Sequence, residues 1–133
     1  MDSLQERIDK FLKAPAFAVV GASDDPRKFG HKCFDCYLKQ NMKAYPINPT
    51  CQTVLGHQVY KDIASLPEKV ESVSIITPPV VTERIVEQAI ANGVKNIWMQ
   101  PGAESAKAVQ QGLAAGLNVI SGGPCLLVEL GYF

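Results

Sequence analysis

The stretch FAVVGASDDPRKFGHKCF, Phe17 to Phe34, decides how this chain is read. Its first four residues are apolar without alternation, as in a strand buried on both faces. Gly21 ends the run and a small polar loop follows. Gly30 then opens a helical segment to about Gln40, with Phe34, Tyr37 and Leu38 facing inward. Strand, glycine, polar loop and helix, in that order, is the unit from which parallel α/β sheets are built. The start of such a helix is where these proteins hold a phosphate.

The same unit recurs along the chain. KAYPINP (Lys43 to Pro49), SVSIITPP (Ser72 to Pro79), NIWMQPG (Asn96 to Gly102) and LNVISGG (Leu117 to Gly123) read as four further strands with their turns. Val80 to Asn92 has helical spacing at Val81, Ile85, Val86, Ala89 and Ile90, and Gly93 stands where a C-cap glycine belongs. Ala103 to Ala115 is a small-residue helix closed by Gly116. Ahead of the first strand, MDSLQERIDKFLKAP puts Leu4, Ile8, Phe11 and Leu12 on one helical face, with Pro15 beyond its end. Cys51 to Leu66 reads as an irregular connection with a short helix near Asp62, and Pro124 to Phe133 has no assignable pattern. The expected fold is a Rossmann-type three-layer sandwich: a five-stranded parallel sheet of order 3-2-1-4-5 with helices on both faces. No linker, internal repeat or low-complexity tract interrupts the sequence, so one domain over residues 1–133 is expected.

Composition narrows the function. The 133 residues are 47% hydrophobic and 20% charged, ordinary for a soluble globular domain. Thirteen basic and thirteen acidic side chains cancel. The chain therefore has no electrostatic footprint for nucleic acid or an anionic membrane, and neither is expected as a partner. No apolar run approaches the roughly 18 residues of a membrane span. The N-terminus has no apolar core of a secretory signal. Four cysteines without such a signal point to reduced thiols in the cytosol.

In an open α/β sheet the binding crevice lies beyond the carboxyl ends of the strands. Those ends read GASDDPRKFG, PINP, TPP and QPGA. The first loop suits a phosphate. Gly21 permits close backbone approach, and Ala22 and Ser23 offer N–H groups. The helix N-terminus is partially positive, and Arg27 and Lys28 add cations. Asp24 and Asp25 must then point away or cap backbone amides. The loop is neither G-x-G-x-x-G nor a P-loop, since Gly21 and Gly30 are nine residues apart and no G-K-[ST] follows. A nicotinamide dinucleotide would also want a carboxylate at the end of the second strand, where Ile47-Asn48-Pro49 stands.

VVGAS, YPINP, the strand ending in TPP, NIWMQPGAE and GLNVI, taken in order, resemble the small CoA-binding proteins. These are single Rossmann-type domains, similar to the N-terminal CoA-binding domain of the succinyl-CoA synthetase α subunit. The resemblance covers about Ala14 to Cys125 and implies bound coenzyme A or an acyl-CoA. It places Gly21, Ala22 and Ser23 against the phosphates, with Lys28 as cation partner and Gly30 among the cofactor-binding residues. Pro46, Ile47 and Asn48 would flank the adenosine end, and Thr77, Pro78 and Pro79 the nucleotide. Gln100 and Gly102 would lie farther along the crevice, with Pro101 between them. Coenzyme A carries a 3′-phosphate, which a carboxylate on the second strand would repel, and none is there. The family's charged pair before its cysteine is absent: Ser121-Gly122-Gly123-Pro124-Cys125 stands in its place.

Other constellations are weaker. Cys33-Phe34-Asp35-Cys36 is a C-x-x-C lying inside a helix rather than at its start, so buried structural thiols are expected rather than a redox pair. His31, Cys33, Cys36 and Cys51 or His57 lack the paired spacing of a zinc site. Cys125 could meet the CoA thiol, although a buried role is favoured. No nucleophile, base and orienting group can be assembled, so no catalytic or metal-binding residue is assigned. The expectation is a non-catalytic CoA carrier, sensor or partner. The alternatives are an NAD(P)-binding oxidoreductase or redox regulator on the same fold, or a small acyl-CoA-utilising enzyme. The apolar tail from Leu126 to Phe133 suggests a homodimer or a protein interface.

Overall fold

Ser3 and Glu6 set the first helix. The Ser3 hydroxyl accepts from the Glu6 N–H at 3.1 Å, and the Glu6 carboxylate accepts from the Ser3 N–H at 3.3 Å. In the computed structural model, which describes residues 3–132, this capping box opens α1, Leu4–Leu12. There follow β1 (Phe17–Val20), α2 (Phe29–Lys39), β2 (Ala44–Ile47) and a small hairpin of β3 (Thr53–Val54) and β4 (His57–Gln58). A 3-10 turn spans Ile63–Ser65, capped by Asp62, where a short helix is expected from the sequence. Then come β5 (Ser72–Ile75), α3 (Pro79–Ala91), β6 (Asn96–Met99), α4 (Ala106–Ala114), β7 (Asn118–Ile120) and α5 (Leu126–Glu129).

β1, β2, β5, β6 and β7 form one parallel sheet, so the Rossmann-type α/β class expected from the sequence is present. The strand order differs. It runs β2-β1-β5-β6-β7, or 2-1-3-4-5 counting only sheet strands, rather than 3-2-1-4-5. Pro46 gives the physical reason. Proline has no N–H for a ladder and belongs on an edge strand. The Pro46 carbonyl accepts from the Tyr60 N–H at 3.0 Å, on the side of β2 away from β1, and the Pro46 nitrogen faces that same side. A third strand paired there would lack a donor. β5 instead pairs with the other side of β1, with Phe17 opposite Ser72 and Val20 opposite Ile75.

Alternation along the strands builds two cores. Ala18, Val20, Val73, Ile75, Ile97 and Met99 pack under α3 and α4 with Val86, Ala89 and Ala108. Phe17, Val19, Trp98 and Ile120 pack under α1, α2 and α5 with Phe11, Phe34, Tyr37 and Leu126. Phe11 meets Trp98 edge-on at 5.3 Å, and Phe17 stacks on Tyr37 at 4.9 Å. β5 shows serines to this second core. Ser72 donates to the Phe11 carbonyl at 2.8 Å and Ser74 bonds the Tyr37 hydroxyl at 2.6 Å. Both buried hydroxyls are thereby satisfied.

Three sequence expectations change here. The tail forms α5, which buries Leu126 and Leu127 in the chain's own core and leaves Val128 62% exposed. α4 begins at Ala106 rather than Ala103, because Ser105 caps it by accepting from the Ala108 N–H. Ile90 lies on the solvent side of α3, 39% exposed, rather than inward. Among the described residues no helix is long and apolar enough to cross a membrane.

Candidate functional site

The loops after β1, β2 and β5 meet at the point where the sheet order reverses, with β2 on one side of β1 and β5 on the other. This is where doubly wound sheets place their ligands. A cleft of about 730 Å³ opens there, within the range of small-molecule sites.

Two glycines make the cleft possible. Gly21 has φ +98°, and a Cβ on it would lie 1.9 Å from the Ile76 carbonyl oxygen. A Cβ on Gly30 would lie 1.9 Å from the Gly21 carbonyl oxygen. Loop one is thus pressed between the backbone after β5 and the first turn of α2. The close approach expected at Gly21 is first of all an approach to the protein's own backbone.

Loop one is also tied by side chains. Asp25 accepts from the Arg27 backbone N–H at 3.0 Å and from its guanidinium at 3.0 and 3.1 Å. That pairing holds the Asp25 carboxyl below its ordinary range. The Asp25 N–H donates to the Ser23 hydroxyl at 3.0 Å, and His31 Nδ1 lies 2.9 Å from the Ser23 carbonyl. Asp25 therefore caps a backbone amide, as expected for an acid in this loop. Arg27 is occupied by it and does not line the cleft. Asn48 closes the seam between loops by donating to the Ala22 carbonyl at 2.7 Å, while its own oxygen accepts from Thr50.

The N-terminus of α2 faces the cleft through Lys28, Phe29 and Gly30. Its cap residue, Lys28, makes no side-chain cap hydrogen bond, and its first turn holds no acid. α3, whose cap Pro78 also lines the cleft, is likewise without a side-chain cap or an acid in its first turn. α1 and α4, away from the cleft, are both capped by serines. The first amides of a helix have no internal partner, so α2 presents free N–H donors at this opening, whereas at α3 Pro79 has no N–H and the Val81 N–H donates to the Pro78 carbonyl at 2.9 Å. The floor and one wall are apolar: Val20, Ile47, Ile63, Ile76, Val81 and Ile85. The charged lining residues are Lys28, Lys61, Arg84 and Asp62, and Asp62 is engaged by the Ser65 N–H at 2.9 Å.

Of the residues expected to bind, Gly21, Ser23, Lys28, Gly30, Ile47, Asn48, Thr77 and Pro78 line this one cleft. The others do not. Ala22 is core, and Pro46 is buried within β2. Pro79 starts α3 on the exposed side. Gln100 is buried, its side-chain oxygen accepting from the Leu126 N–H at 2.9 Å, so it holds α5 in place. Gly102 is a turn glycine with φ +95° whose N–H donates to Glu104. Lys61, Arg84 and Gln88 line the cleft without a sequence signal. Lys61 lies in the irregular segment, and on α3 the cleft face was not separable from the solvent face until the strand order was known.

The thiols do not reach this site. Cys33 and Cys36 are buried beneath α2, and burial pushes Cys33 well up and Cys36 to about 11. Neither suits a redox thiolate at neutral pH. Cys125 caps α5, half-buried, and does not line the cleft. Among the described residues no group of metal-ligating side chains gathers.

Comparison with known proteins fits this geometry. Residues 15–131 match the family described as CoA binding domain. Over 91 residues the chain is 31% identical to the alpha subunit of ADP-forming acetate–CoA ligase II from Pyrococcus furiosus, covering 68% of this chain and 20% of that one. The chain thus spans about a fifth of that relative's length. A hypothetical protein from Pyrococcus horikoshii OT3 superposes with a TM-score of 0.91 at 27% identity, covering 98% of this chain and 92% of that one. The dinucleotide forming acetyl-coenzyme A synthetase 1 of Ca. Korarchaeum cryptofilum, in complex with phosphate and ADP, gives 0.72 at 29% identity. That match covers 80% of this chain and 25% of the synthetase.

Proposed function

The chain belongs to the CoA-binding domain family, and from that premise we propose that its cleft binds coenzyme A or an acyl-CoA. The observation that carries the reading is the uncapped N-terminus of α2, opening beside Lys28 onto an apolar floor. Free helix amides and a flexible ammonium suit a diphosphate. The floor of Val20, Ile47, Ile63 and Ile76 suits an adenine ring. Ser23 and Asn48 are spent on loop structure, so in this reading they act by shaping the cradle.

The role we propose is non-catalytic. Among the described residues no histidine or cysteine lines the cleft, and His31 is engaged with the Ser23 carbonyl. His57 packs edge-on against Phe34 at the hairpin. The chain would hold the coenzyme in the cytosol as a carrier or sensor, or present it to a second protein. That last role is suggested by the matched ligase relative, whose name is that of an alpha subunit.

Calorimetric titration of ligand-stripped protein with coenzyme A, acetyl-CoA, NAD and NADP tests this. The expected outcome is micromolar or tighter binding of coenzyme A with neither dinucleotide competing. Lys28→Gln should weaken it about tenfold, or ~1.4 kcal/mol. Dinucleotide binding without coenzyme A binding would overturn the proposal.

A further inference from the structure

The cleft's cations come from different elements of the fold, and a diphosphate on α2 accounts only for Lys28, at the start of that helix. The second set is Lys61, ahead of the 3-10 turn, and Arg84, in the second turn of α3. Both are exposed and neither forms a salt bridge among the described residues. Arg27, Lys39, Lys43, Lys95 and Lys107, by contrast, each have a carboxylate partner. Gln88, one turn beyond Arg84, adds an amide to the same wall. Among the described residues the cleft has one carboxylate, Asp62, and it is held by Ser65. A chain of zero net charge therefore has, among the described residues, three cations against one carboxylate in this cleft.

We propose that Lys61 and Arg84 form a second anion subsite for the phosphomonoester on the ribose of coenzyme A, making the cleft selective for coenzyme A over dephospho-CoA. This rests on the coenzyme A reading and deepens it. The adenine nucleotide of coenzyme A has a diphosphate on one side of its ribose and a phosphomonoester on the other. The cleft offers a helix N-terminus with Lys28, an apolar lining, and Lys61 with Arg84 on a 3-10 turn and a helix that pack on each other. A phosphomonoester carries nearly two charges at neutral pH and presents three acceptor oxygens. A planar guanidinium can meet two of them at once, and an ammonium the third. NAD has no such group, so the subsite also separates the two cofactor classes.

The test compares coenzyme A with dephospho-CoA, which differ by that one phosphate, on wild type, Lys28→Gln and the Lys61→Gln/Arg84→Gln double variant. Wild type should bind coenzyme A at least about tenfold more tightly than dephospho-CoA. The double variant should shrink that ratio to about twofold or less while leaving dephospho-CoA affinity near wild type. Lys28→Gln should weaken both ligands alike. Thermal melts should show all three proteins folded, because the substituted side chains are exposed. A wild-type ratio near one, or a ratio that survives the double substitution, would overturn the subsite and leave the coenzyme A reading standing. If wild type binds neither ligand, the coenzyme A reading falls and takes the subsite with it.

Discussion

A methyl group at position 21 or 30 has nowhere to go. Each would sit 1.9 Å from a backbone carbonyl oxygen, and backbone cannot rotate aside as a side chain does. Gly21 also has φ +98°, which an L side chain rarely adopts. Gly93 offers the comparison, since its φ is +76° but a Cβ there meets nothing within 4 Å. Gly93→Ala should cost about 1 kcal/mol, the backbone term alone. Gly21→Ala and Gly30→Ala should each cost about 3 kcal/mol or more in urea unfolding, and should weaken coenzyme A binding in whatever fraction stays folded. Equal costs at positions 21 and 93 would mean that the loop relaxes and the cradle is not pinned. The glycines and Lys28 were legible in the sequence because they sit beside a strand end. Arg84 was not, because which side of α3 meets the cleft depends on where β5 lies in the sheet, and Lys61 was not, because it lies in the irregular segment before the 3-10 turn.

Helix ends divide by what they face. α1 and α4 are capped by Ser3 and Ser105, while α2 and α3, at the cleft, have no side-chain cap. An uncapped end forgoes stability that a ligand can restore. Lys28 has the extended backbone of a cap residue, φ −85° and ψ 148°. Lys28→Asp should therefore raise the stability of the ligand-free protein by about 1 kcal/mol, since aspartate caps the amides and answers the dipole. The same change should cut coenzyme A binding by well over the tenfold expected of Lys28→Gln, because a carboxylate then occupies the anion's place. A melt and a titration on one preparation check both signs; a stabilised variant that still binds normally would remove α2 from the site. The irregular segment shows why element reading failed there. The β3–β4 turn places Leu55 at φ +49° and Gly56 at φ +79°, a primed two-residue turn. Such turns announce themselves with asparagine or aspartate before glycine. A leucine there gives no such signal, and strands of two residues have no period to read.

Across the whole molecule, what was legible follows from burial. The sheet strands are buried and mostly apolar, and each is followed by turn residues, so five strands and their class could be read directly even though β5 carries Ser72 and Ser74. Their order could not, because it turns on which side of β2 the Pro46 nitrogen faces. The same burial sets how the fold responds to alkali. Cys33, Cys36 and Tyr37 lie in the core between α2 and the sheet, and burial raises all three, Cys36 to about 11 from an ordinary 9.0. The unfolded chain releases these protons first. Their contribution to stability is therefore complete below about pH 9 and is lost as pH rises through about 11. Under reducing conditions the melting temperature should stay level from pH 7 to 9 and fall steeply above. A Cys33→Ala/Cys36→Ala variant should start lower, from the lost packing, and fall less steeply over the same interval. Parallel slopes for the two proteins would show that the thiols ionise without opening the core. The alkaline limit of the fold would then lie elsewhere, for example in surface ion pairs such as Lys95 with Glu71.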